Sequence, residues 1–234
     1  MMKNTFNKII RRTKDLLDFR YTRKSFSQFG EDLIIESALN IIKEKNITYL
    51  DIGANHPFLI SNTYYFYRNG STGTLIEPSP ALYKNLKKKR PSDNILNCGV
   101  GFGNKIETAK LYIMDNPVLN TFSFEEAKRL EQNTNYKIVN DLDIELIPIN
   151  FILEEMKFLP SFISIDVEGL DYEILKNLDT QKYRPAIIVA ETLTFEPNTG
   201  GRKIEKIIEL MLEKNYKVFA DTRLNTIFID ENRL

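Results

Sequence analysis

The stretch "YLDIGANHPF", residues 49–58, runs from an apolar segment into Asp51, Gly53, Asn55 and His56. That order reads as a buried strand ending in a small-residue turn, which exposes backbone and one carboxylate to a ligand. Comparable clusters end other apolar segments. Glu77 and Pro78 close "TGTLIEP", Asn97, Cys98 and Gly99 close "NILNCG", Asp166 and Glu168 close "SFISIDVEG", and Glu191 closes "AIIVAE". In a doubly wound sheet, ligands bind beyond the carboxyl ends of the strands. These residues are therefore the candidates for chemistry.

Glu77 narrows the ligand. An acid at the end of the second strand accepts two hydrogen bonds from ribose hydroxyls and repels a ribose phosphate. Gly53 permits close backbone approach. Together they point to an adenosine-containing cofactor, either a nicotinamide dinucleotide or S-adenosylmethionine. The dinucleotide fingerprint needs three glycines to seat a pyrophosphate. "GANHPF" has one, followed by Pro57. S-adenosylmethionine has no phosphate to seat. "SNT", residues 61–63, opens a helix whose N-terminus, with Asn62 and Thr63, suits the carboxylate of that cofactor.

The elements that must position these groups alternate between strand and helix. Helices are expected after "SQFGED", over "SNTYYFYRNG", after "SPAL" with Pro80 in the first turn, over "NFILEEMKF", over "DYEILKNL" and over "RKIEKIIELMLEKN". The apolar strands are continuous, so the sheet is mostly parallel and covered on both faces. "YKVFADT" and "NTIFID" are too close for a crossover and must form an antiparallel hairpin. That hairpin is a habit of class I methyltransferases. "SDNILNCGVG" reads as one strand, "AKLYIM" and "IELIPI" as two more, and "DNPVLNTFSFEEAKRLEQNTN" as a loop.

Four motifs, "SQFGED", "LDIGANHP", "LIEPSP" and "ISIDVEG", resemble the FkbM-type S-adenosylmethionine-dependent methyltransferases, from about Ser27 to Glu191. The resemblance implies an α/β class I methyltransferase (Rossmann-like) fold: a mostly parallel seven-stranded sheet with a C-terminal antiparallel hairpin. It also implies O-methylation of a hydroxyl on a sugar, glycan or polyketide-like molecule. Asp51, Gly53, Asn55 and Glu77 match the family's cofactor positions. Asp166 and Glu168 match its acidic motif beside the methyl group. The family often has Val-Gly after "GAN", where this chain has His-Pro.

Methyl transfer to oxygen requires the hydroxyl to be aligned and its proton removed. Asp166, after a buried strand, is the first candidate for base or orienting group. His56, the only histidine, is the second, with Glu168 beside them. Gln28 is expected to fold back on the cofactor or to sit in a cap, and Pro78, Asn97, Cys98 and Gly99 are further candidates for cofactor binding. Asn120 and Thr121 in the 115–135 segment, with Glu191, are the candidates for substrate contact. Asp166, Glu168 and Glu191 are all oxygen ligands, but capping or substrate contact is the preferred reading and no metal is assigned. The expected acceptor is a sugar or glycan hydroxyl. A lipid or polyketide-like hydroxyl, or a non-catalytic nucleoside-binding module, is the alternative.

Composition sets the remaining bounds. Lys+Arg and Asp+Glu number 32 each, which gives no global case for nucleic-acid binding. One Cys allows neither an internal disulfide nor a cysteine zinc site. The amino-terminal ten residues lack the apolar run of a signal peptide, and a cytoplasmic protein is expected. Residues 1–26 read as a basic amphipathic helix or extension and 27–234 as a single methyltransferase domain. The helix, with Lys8, Arg11, Arg12 and Lys14 around Phe6, Ile9 and Ile10, either packs on the domain or makes peripheral contact with the inner face of a membrane.

Overall fold

The computed structural model describes residues 22–156, 158–167, 169–194 and 200–234. The basic amino-terminal helix and Glu168 therefore lie outside the described residues, apart from 22–26. A seven-stranded sheet has the order β3-β2-β1-β7-β8-β10-β9. Its strands are β1 (Thr48–Ile52), β2 (Thr72–Ile76), β3 (Asn94–Leu96), β7 (Phe162–Ile165), β8 (Ile187–Glu191), β9 (Tyr216–Asp221) and β10 (Asn225–Asp230). Strand β10 is antiparallel to both neighbours; the other pairings are parallel. This is the expected class I architecture, with the hairpin at the carboxyl end.

Successive strand residues face opposite sides, and both sides are apolar here. Leu50, Ile52, Ile188 and Ala190 pack with α5 (Ile149–Glu155), α6 (Asp171–Asn177) and α7 (Glu205–Glu213). Tyr49, Ile187 and Val189 pack with α1 (Glu31–Ile41), α2 (Tyr64–Arg68) and α3 (Pro80–Lys89). Continuous apolar strands thus become a sheet covered by helices on both faces.

Two sequence expectations need correction. "NILNCGVG" is not one strand: β3 ends at Leu96, and β4 (Gly99–Gly101) joins a second, three-stranded sheet. The break falls where Asn97 turns its amide to the carbonyls of Glu77 and Pro78, each at 2.9 Å. The second sheet, in the order β4-β6-β5, also contains β5 (Glu107–Met114) and β6 (Ile138–Pro148). Segment 115–135 is not all loop. It holds a 3-10 turn, Pro117–Leu119, and helix α4 (Phe124–Asn133). The Ser123 hydroxyl caps α4 by accepting the Glu126 N–H. Only Ala127 and Leu130 of α4 are buried, and with Met114 and Leu119 they form a small separate core. Among the described residues, no helix is long and apolar enough to cross a membrane.

Candidate active site

The chain runs from β1 outward to β3 and then returns to place β7 on the other side of β1. The switch point is therefore between β1 and β7. A cavity of about 240 Å³ opens there, beyond the ends of β1, β2 and β7. It is lined by Asp51, Gly53, Asn55, His56, Asn62, Glu77, Pro78, Asn120 and Asp166, among others. Residues from five separate stretches of sequence are brought to one wall.

Gly53 makes this possible. It sits at φ 82, and a Cβ there would lie 1.9 Å from the backbone oxygen of Asp166. The backbone turns immediately under the end of β7, a place and a conformation that only glycine tolerates. Its N–H and that of Ala54 donate to Ile76 O, while the Asp166 N–H donates to Ile52 O. The ends of β1, β2 and β7 are thereby locked to one another.

Glu77 is buried, and both its oxygens are engaged: Oε2 accepts the Asn55 N–H and Oε1 the Ser79 N–H, each at 2.8 Å. Burial pushes its carboxyl up to about 7, against the pull of those two donors. Each oxygen keeps a second lone pair for a ligand donor. Asn55 is held at φ 47, and its amide donates to Pro117 O at 3.3 Å. That bond ties the loop after β1 to the 3-10 turn of the small sheet.

Asp51 is buried, with its carboxyl raised by that burial and partly offset by a hydrogen bond from the Thr63 hydroxyl. Asp166 presents open surface where it lines the cavity. Enclosure, and then the charge of Asp51, push it up to about 6. Water in the open cavity screens the carboxylate and moderates the shift; a ligand that excludes water restores it. No described residue donates a hydrogen bond to the Asp166 carboxylate.

His56 is otherwise occupied. Its Nδ1 accepts the N–H groups of Phe58 and Leu59 at 3.3 and 2.9 Å. That leaves Nε2 carrying the proton in the neutral ring, and burial holds the pKa below the usual imidazole range. The ring has no free lone pair with which to accept a substrate proton. The arrangement favours Asp166 over His56 as the base.

Several expected residues do not line this cavity. Thr63 lies beneath it and touches Asp51. Asn97 braces the Glu77 and Pro78 carbonyls from outside. Cys98 is buried, with its thiol pushed up to about 11 by burial, so it is an apolar filler at neutral pH. Gly99 borders a smaller hollow behind the cavity. Thr121 is buried and pairs through its backbone with Tyr112. Glu191 ends β8, on the far side of β7. Gln28 is exposed, and its neighbours serve the scaffold: Asp32 gathers the Ser25 and Ser27 hydroxyls and the Phe26 N–H, and Glu31 holds Thr222 and Asn225 at the C-terminal hairpin.

Sequence reasoning missed Ser61, Leu82 and Ser164 in the cavity wall, and it missed Asp171. Asp171 is buried at the start of α6, with Oδ1 lacking a partner among the described residues. Burial first, and then the charge of Asp166, push its carboxyl up to about 8. Its only sequence signal was an acid in the first turn of a helix just beyond "DVEG". Among the described residues, no group of three or more His, Cys, Asp or Glu side chains is arranged to hold a metal ion.

Residues 51–218 match the family described as Methyltransferase FkbM domain. The chain belongs to the FkbM methyltransferase family. The match spans the β1 loop, Glu77, the small sheet, the acidic motif and the start of the hairpin, which is the whole wall of the cavity. This family member is accordingly an S-adenosylmethionine-dependent methyltransferase. The residues present fit that cofactor: an acid at the end of β2, further carboxylates in the same wall, and a β1 loop with a single glycine in place of a glycine-rich phosphate cradle. Among solved structures, a TehB-like S-adenosylmethionine-dependent methyltransferase from Corynebacterium glutamicum is similar at 11% identity and TM-score 0.44, covering 94% of this chain and 96% of that one. CalS10, an amino pentose methyltransferase from Micromonospora echinaspora, is similar at 7% identity and TM-score 0.47, covering 88% and 92%. A putative caffeoyl-CoA O-methyltransferase from Staphylococcus aureus is similar at 11% identity and TM-score 0.46, covering 94% and 91%. The assignment rests on the family match and the sheet, not on these distant likenesses. No curated protein matches the sequence.

Proposed function

We propose that this FkbM-family methyltransferase methylates a hydroxyl of a sugar or glycan, with Asp166 as the base. One observation carries the reading: the Asp166 carboxylate stands in the cavity wall with no donor to it among the described residues, its pKa raised to about 6. An oxygen nucleophile must lose a proton as it attacks, and a positioned carboxylate titrating just below neutrality is suited to take it. Bound S-adenosylmethionine supplies an electrophilic methyl group on a sulfonium. The residues for holding it are Glu77 toward the ribose and Asp51 toward the cationic end, with Asn62 beside Ser164. Asn120 ties its carbonyl oxygen to the Met114 N–H, so its NH2 is the group left for an acceptor hydroxyl. Asn55 offers the matching amide oxygen, with one N–H of its NH2 held by Pro117 O.

A second reading keeps the chemistry and changes the acceptor to a lipid or polyketide-like hydroxyl. It is favoured by apolar residues that border the cavity and stand open to solvent: Leu59, Ile60 and Val118, 60%, 59% and 50% exposed. The two readings separate in one assay. Methyl-labelled S-adenosylmethionine is offered with a panel of free sugars, oligosaccharides and hydroxylated long-chain acceptors, and the label is traced by mass spectrometry. Label on a sugar oxygen supports the first reading. Label only on the long-chain set transfers the function to the second, and label only on amines overturns both.

A further inference from the structure

Arg90, the residue that ends α3, is fully buried. Its guanidinium donates to three groups: Nε to Asp93 Oδ2 at 2.7 Å, Nη2 to the Tyr49 hydroxyl at 2.9 Å, and Nη1 to Thr63 Oγ1 at 3.0 Å. It lies 4.8 Å from the ring centre of Tyr67. Asp93 balances the charge and also accepts from the Tyr49 hydroxyl and the Gly73 N–H. A buried ion pair of this kind is weak support for stability, because apolar residues of the same shape often serve as well. What it does supply is direction. An arginine only donates, so the Thr63 oxygen must receive from Arg90, and its single proton is then free for the Asp51 carboxylate, which it reaches at 2.5 Å.

We propose that Arg90 is a positioning residue for the cofactor cavity: acting through the Thr63 hydroxyl, it orients the Asp51 carboxylate and favours its charged form against burial. The inference rests on the reading that the cavity wall at Asp51 meets the cationic cofactor. Asp51 needs such support. Glu77 after β2, Asp166 after β7 and Asp93 beside β3 all carry carboxylates facing it, Asp171 stands behind Asp166, and Arg90 is the cation that faces it. The link also sets the two cavity acids apart. Asp51 has a hydroxyl donor backed by a guanidinium, while Asp166 has none among the described residues. Two nearby carboxylates in unlike surroundings are suited to unlike roles, one held in place by a donor and one open to a ligand.

The test is S-adenosylmethionine affinity by calorimetry from pH 5 to 9, on the wild type, Thr63→Ser and Thr63→Val. Thr63→Ser keeps the hydroxyl and should follow the wild type. Thr63→Val keeps the shape and loses the link. It should bind about tenfold more weakly at pH 7, as expected for a lost hydrogen bond to a charged group, and its acid limb should move to higher pH. A purely structural role predicts a lower melting temperature for Thr63→Val with the acid limb unmoved, and that result overturns the proposal. No binding by the wild type sinks the cofactor site itself, and the proposal with it. Should Thr63→Val fail to fold, carboxyl-carbon NMR on the wild type decides: Asp51 should take up its proton at lower pH than Asp166, and the reverse order overturns the proposal.

Discussion

The Oε2 atom of Glu77, at the end of β2, accepts the backbone N–H of Asn55, in the loop after β1, at 2.8 Å. One carboxylate thus holds the shape of the cofactor loop while lining the cavity. Glu77→Ala removes the loop anchor and, on the proposed reading, the ribose acceptor. S-adenosylmethionine binding should weaken at least about tenfold, measured by calorimetry. Unchanged affinity would place the ribose elsewhere. Glu77→Gln should lose less, because one amide oxygen still accepts from a backbone N–H.

Asp166→Asn preserves shape and removes the proposed proton acceptor. Turnover should fall about a hundredfold or more, with cofactor affinity within a few-fold of wild type. In the wild type, the rate at low substrate should rise with pH through about 6, where Asp166 loses its proton. Asp166→Asn should lack that limb. A variant that keeps both the limb and the rate would exclude Asp166 as the base.

His56→Ala tests the rival. With Nδ1 already accepting from Phe58 and Leu59, the ring acts as a splint for the 57–60 turn. The expected result is a raised KM with kcat within about tenfold of wild type and the pH limb unmoved. A collapse of kcat comparable to that of Asp166→Asn would return the base role to His56.

Gly53→Ala asks for a Cβ 1.9 Å from the Asp166 carbonyl at a φ of 82. Left-handed backbone at a non-glycine residue costs of order 1–3 kcal/mol even without a clash. The denaturation midpoint should fall, and S-adenosylmethionine should no longer protect the fold. A variant with wild-type stability would show that β1 and β7 separate here at little cost.

The strand ends were legible because each closes an apolar run with an acid or a small residue: Asp51, Glu77 and Asp166 could be placed at one end of the sheet from alternation alone. The small sheet was not legible. Nothing in "ILNCGVG" marks the point where Asn97 turns aside to brace Glu77, so a chain that changes sheets looked like one strand. Helix α4 carries a signal, since Ser123 and Glu126 have capping-box spacing. Arg90 was invisible for a different reason. At the end of "KNLKKKR" it reads as one more solvated cation, and only the fold shows Tyr49, Thr63 and Asp93 converging on it. The same holds for Asp171, whose burial depends on how α6 packs behind β7.

Asp171 yields the last prediction. Its carboxyl titrates near 8 in the folded protein, raised by burial and then by Asp166, and near 4 when unfolded. A group raised in this way favours the folded state most below its unfolded pKa, and that contribution is lost as pH rises through the folded value. Between those two values the unfolded chain binds fewer protons than the native one, so stability should decline from about pH 4 to about pH 8. Asp166, at about 6, and Glu77, at about 7, act in the same direction over narrower windows. Asp171→Asn holds no titrating proton. Its melting temperature should therefore fall less than that of the wild type between pH 5 and 9, by a few degrees for a chain of this size. Parallel stability curves for the two proteins would mean that Asp171 is already charged at neutral pH, held by donors stronger than the backbone N–H groups around it.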